Sequence, residues 1–187
     1  MQPTDELIAE AKATKAQLVD LSELSDPVTR YMLRYWMDRK GDRQMPSPDE
    51  MNFADFARHS SRITLIGVEP DSQRFTVRLA GEEVIASLGF NPKGRDILSF
   101  NEQLPGLGTL LQGFYAWLLS ERCPAAVKGT QDMLDKSYKS YEAVYLPLSS
   151  DGERVDRFMD VTVTYLKTMN IRRQSAALRP IGPSVEN

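Results

Sequence analysis

The chain has 187 residues, 41% hydrophobic and 26% charged, which is ordinary globular composition and excludes a disordered, collagen-like or disulfide-scaffold chain. Its 23 basic and 26 acidic residues leave a net charge of −3, so the strongly basic balance of a nucleic-acid-binding domain is missing. One cysteine, Cys123, and one histidine, His59, cannot make an intrachain disulfide or a site of several His and Cys ligands, and the lone thiol fits a reducing, cytoplasmic setting.

Residues 1–17 (MQPTDELIAEAKATKAQ) are polar and mixed in charge, without the apolar run of a signal peptide, and no later stretch reaches the roughly 18 apolar residues of a membrane span. Residues 5–21 read as a helix. Leu7, Ala11, Thr14, Leu18 and Leu21 fall on one face, and Asp5, Glu6 and Glu10 sit at the end that favours anions. Such a helix is marginal alone, so its stripe expects a surface to pack on. A second helix starts at Ser25-Asp26-Pro27, where a side-chain oxygen takes up an orphan N–H and proline lacks one, and it stops at Gly41. Val28, Met32, Tyr35 and Trp36 form its apolar stripe. A polar loop covers 41–52, and 52–57 can make one more helical turn.

The period then changes from helical to alternating. Residues 62–69 (RITLIGVE) are rich in β-formers, 70–73 are a turn, and 74–80 (RFTVRLA) alternate. Phe75, Val77 and Leu79 share one side, and Arg74, Thr76 and Arg78 the other, so the pair forms an antiparallel hairpin. Gly81 turns the chain into a short helix over 82–88, which Gly89 stops; 91–94 are another turn. A longer helix over 104–120 presents Leu107, Leu110, Leu111, Phe114, Trp117 and Leu118, and Cys123-Pro124 ends it. Strands at 125–131, 139–148 and 155–166 follow, the last with Met159, Val161, Val163 and Tyr165 on one side. Residues 167–187 carry Pro180 and Pro183 and no sustained apolar period.

Turns this short join antiparallel neighbours, not parallel ones. The reading is therefore an α+β domain: one antiparallel sheet of about five strands with helices on one face. It divides into an N-terminal helical extension (1–24), the domain proper (25–166) and a flexible tail (167–187).

Three strings, met in this order, resemble the PAS domain, in its branch of bacterial single-domain proteins. They are 33–46 (LRYWMDRKGDRQMP), 75–89 (FTVRLAGEEVIASLG, with Gly94-Arg95 after it) and 142–152 (EAVYLPLSSDG). The resemblance covers roughly 28–166. It implies a PAS-like sheet whose flanking helices enclose a pocket, and a sensing or relaying role in signal transduction exerted on a partner in trans, because no kinase, cyclase or helix-turn-helix segment shares the chain.

The apolar positions Phe75, Val77, Leu79, Val84, Ile85, Leu88, Phe114, Trp117, Met159 and Val161 must bury against something. They either close into a filled core or line a pocket for a small apolar or aromatic ligand. Leu7, Leu18 and Leu21 of the first helix are the expected partner surface, with a homodimer as the simplest symmetric use of that stripe. Haem and flavin are not expected: the axial histidine that the resemblance would require within 82–100 is absent, His59 lies ahead of the first strand, and Cys123 does not sit in an Asn-Cys-Arg motif. No metal ligand set, phosphate loop or Gly-x-Ser-x-Gly elbow is present, and the adjacent acids Glu82-Glu83 and Asp49-Glu50 do not face each other on a helix. The reading is a non-enzymatic sensor or adaptor, with a small-molecule carrier or an enzyme on a PAS-like sheet, or a filled scaffold, as the alternatives.

Overall fold

The computed structural model describes residues 15–69 and 71–167. They form one antiparallel sheet of six strands: β1 (Gln17–Val19), β2 (Ile63–Glu69), β3 (Arg74–Ala80), β4 (Ala125–Gln131), β5 (Lys136–Leu148) and β6 (Arg157–Leu166), in the order β1-β4-β5-β6-β2-β3. The helices are α1 (Pro27–Lys40), α2 (Phe53–Phe56), α3 (Glu82–Leu88) and α4 (Leu107–Glu121). The α+β class stands, with β1 as a sixth strand added at one edge.

Local chemistry accounts for the element boundaries. Asp26 caps α1 by accepting the Val28 N–H at 2.7 Å, and Pro27 opens the first turn. Gly41 and Gly89 end α1 and α3 at positive φ. Gly81 is needed for space: a Cβ there would lie 2.2 Å from the Ser60 carbonyl oxygen, so only glycine lets α3 start against the 57–62 turn.

Paired residues of an antiparallel ladder share a face, so the register sorts the side chains. Glu142, Val144 and Leu146 of β5 lie with Val163, Val161 and Met159 of β6, and with Ile63 and Leu65 of β2. Tyr141, Ala143 and Tyr145 lie with Thr164, Thr162 and Asp160 on the opposite face. Helices cover both faces, not one. On the first, the buried Trp36 of α1 donates its indole N–H to the Pro147 carbonyl at 2.7 Å, and Thr29 donates to Glu142 at 2.5 Å. On the second, α4 sets Phe114 with its ring centroid 4.7 Å from that of Tyr145. The stripe read on α1 is what binds it: Met32 and Trp36 are among the fully buried side chains.

Two further expectations change. A register shift between Leu65 and Ile66 splits the alternation of β3. Phe75 and Val77 pair with Val68 and Ile66 on the α4 side, whereas Leu79 pairs with Leu65 on the α1 side. A β-bulge inserts one residue and so turns the rest of the strand over. Arg78 lies across Gly67, where a Cβ would meet its Nε at 2.5 Å, away from the Phe75 face as the alternation required. The second change is the first helix. Residues 1–14, with Leu7, are outside the described residues, but 17–19 are strand β1 and 21–23 a capped helical turn. The backbone of β4 offers this segment ladder hydrogen bonds, which outweigh a helical stripe with only three large apolar positions. Leu18 is therefore 44% exposed on a strand while Leu21 packs against the core, and the two do not share a helical face. All but Lys167 of the expected tail lies outside the described residues.

Candidate functional site

A cavity of about 180 Å³ lies between the second sheet face and the helices α3 and α4. Its helical wall is aliphatic: Val84 and Leu88 from α3, and Leu107, Leu110 and Leu111 from α4, whose spacing of three and four puts them on one side. Its floor is polar: Tyr141 and Tyr145 from β5, Thr162 and Thr164 from β6, and Gln131 from the end of β4. Met133 and Leu134, in the turn after β4, and the polar Glu83, Ser87 and Thr130 at the edges complete the described lining. Lys136 at the start of β5 donates to the Ala86 and Ser87 carbonyls at 2.9 and 2.7 Å, placing a cation on the last turn of α3 and tying that wall to the sheet. Gly108 lets α4 approach the helical turn over Ile97–Glu102; a Cβ there would meet the Ile97 carbonyl oxygen at 2.7 Å.

The polar floor is incompletely satisfied. Gln131 is 6% exposed; its Nε2 donates to the Thr164 hydroxyl at 3.3 Å, while its Oε1 has no donor among the described residues. Burial pushes the Tyr141 phenol up to about 12. Burial, followed by the charges of Tyr141 and Asp160, raises Tyr145 well above its ordinary range. Asp160, the cross-strand neighbour of Tyr145, sits beneath this floor and accepts a short hydrogen bond from the Tyr115 hydroxyl of α4. Burial pushes its carboxyl up to about 8 against the opposing effect of that hydrogen bond, and its Oδ1 has no partner among the described residues. A carboxyl kept protonated at neutral pH behaves as one more neutral polar group.

The model of the PAS domain family matches residues 24–163, well over half of the chain. This chain belongs to the PAS domain family. Neither a curated protein nor a solved structure matches it. PAS domains as a class are signal-sensing and interaction modules, and the match runs from just ahead of α1 to β6, leaving β1 outside. Among the described residues no helix is long and apolar enough to cross a membrane, and no three His, Cys, Asp or Glu side chains gather as a metal site.

In this PAS domain the expected pocket residues separate into groups. Val84 and Leu88 line the cavity, and Ile85 on the same helix does not. Phe114 backs the floor through Tyr145, and the half-buried Trp117 lies 5.7 Å from Phe114. Phe75 and Val77 are sealed core beneath α4, with Phe75 5.4 Å from the Tyr115 ring. Leu79 and Met159 line a smaller groove of about 110 Å³ on the first face, beside Phe53 and Phe56, and Val161 is buried on that same face. The floor residues Gln131, Tyr141, Tyr145, Thr162 and Thr164 were not expected. Their signal was present in β6, where Thr162 and Thr164 alternate with Val161 and Val163. His59 does not line the cavity; it accepts from Arg58 Nε at 3.0 Å and packs 5.7 Å from the Tyr31 ring. Burial, then the charges of Arg58 and Arg62, lower its pKa. Cys123 is an exposed free thiol beyond the end of α4.

Proposed function

We propose that this PAS domain is a non-enzymatic sensor or adaptor that binds a small ligand between α3, α4 and the sheet and signals to a protein partner in trans. The observation that carries the reading is the cavity itself: an aliphatic wall facing a polar floor whose Gln131 Oε1 has no donor. Buried polar groups in native proteins nearly always have partners, so a floor of this kind supports an occupant that supplies them. The described lining holds no His, Cys or Lys, which supports binding over catalysis. The partner surface is proposed at the β1 edge, where Leu18 is exposed and no other described strand pairs with the outer side, an arrangement suited to pairing with a second copy or another protein. The single exposed thiol fits work in a reducing cytoplasm.

Native mass spectrometry of the full chain tests this, with Leu111→Trp as the cavity-filling variant. The expected result is one small molecule per chain on the native protein, released on denaturation and lost from the variant. Equal occupancy of wild type and variant would place the ligand elsewhere and overturn the reading.

A further inference from the structure

We infer that the ligand is an uncharged molecule of about one ring, whose apolar body lies on Leu107 and Leu111 and whose polar edge donates a hydrogen bond to Gln131 Oε1. The inference rests on the ligand-binding reading above and adds the chemical class.

Size comes first. An apolar cavity of about 150 Å³ takes benzene, and pockets for drug-sized molecules begin at roughly 300 Å³. At about 180 Å³ this cavity holds a single ring with one or two substituents.

Charge comes second. Among the described residues no Lys, Arg or His lines the cavity, and the one acid that does, Glu83, is already engaged, accepting from Ser61 Oγ at 2.7 Å and from Arg62 Nε at 3.0 Å. An ionised group seated on the floor would be stripped of water with no free counter-charge, which disfavours a carboxylate or an ammonium group there.

Hydrogen bonding decides the polar edge. Thr164 takes one of the two Gln131 amide N–H groups, whereas the amide oxygen has no donor at all among the described residues, and an oxygen accepts only from a donor. No hydrogen bond joins the Tyr141 or Tyr145 hydroxyl to another described residue. These two phenols can serve a second polar atom on the same edge. The preferred ligand therefore carries an O–H or N–H donor on one side and hydrocarbon on the other.

Calorimetric titration of the full chain with toluene, phenol and benzoate tests the class. Phenol is expected to bind about fivefold or more tightly than toluene, the worth of one neutral hydrogen bond, with benzoate weaker than both. Gln131→Leu is expected to erase the advantage of phenol while leaving toluene binding in place. Phenol binding no tighter than toluene, or benzoate matching phenol, overturns this inference and leaves the ligand-binding reading intact. Failure of all three probes to bind overturns both. The wild-type ranking decides the question even where Gln131→Leu does not fold.

Discussion

Two buried carboxylates, Glu142 on β5 and Asp160 on β6, sit on opposite faces of one sheet and meet opposite treatment. Glu142 accepts hydrogen bonds from the Ser25 and Asp26 backbone N–H groups, the Ser25 hydroxyl at 2.7 Å and the Thr29 hydroxyl at 2.5 Å, with Lys128 Nζ 3.1 Å away. Burial alone would raise its pKa; these donors outweigh burial and hold it down at about 2. Asp160 has one donor, Tyr115, and is pushed up to about 8. The face under α1 is thus a finished structural joint, closed by a fully satisfied ion. The face under α4 is built from neutral polar groups with unused hydrogen-bonding capacity. The sheet is thus fixed on one side by a satisfied ion and keeps its unused hydrogen-bonding capacity on the other.

The largest expected effect comes from opening the closed face. Trp36→Ala should cost about 3–5 kcal/mol in denaturant unfolding, because it empties a fully buried ring site and orphans the Pro147 carbonyl. A loss below about 1 kcal/mol would mean that α1 is not clamped there. Next, Glu142→Ala should cost about 3 kcal/mol at pH 7, since it leaves the Ser25, Asp26 and Thr29 donors unpartnered. The folded pKa of Glu142 lies below its ordinary 4.5, so its contribution is complete above pH 4.5 and is lost as pH falls toward 2. The variant should therefore lack that acid-side loss in a pH series of unfolding curves. The effect of Asp160→Asn is confined to the pH dependence. The folded pKa of Asp160 is raised from 3.8 to about 8, so its contribution is present below 3.8 and declines as pH rises to 8. Asparagine keeps an acceptor for Tyr115 without the titration, and should gain at least about 1 kcal/mol on wild type between pH 5 and pH 8. Parallel pH profiles for the two proteins would show that Asp160 is not the neutral buried group described.

Features fixed by neighbours in sequence were legible: the Asp26-Pro27 start of α1, the β2–β3 hairpin and the Gly89 stop. Features fixed by distant partners were not. Alternation in β6 sorts Val161 from Thr162 but does not say which side a helix will cover, and with both sides covered the more polar one became the cavity floor. The bulge that moves Leu79 away from Phe75 adds one residue without a glycine or proline to mark it. Strand β1 depends on β4, more than a hundred residues later, so no local pattern around Leu18 could announce it.

Hydrogen–deuterium exchange of the full chain with and without saturating phenol tests the division between the two faces most directly. Slowed exchange is expected in α3, α4 and the 130–134 turn on binding, with α1 unchanged. Slowing centred on α1, or spread evenly across both faces, would contradict it.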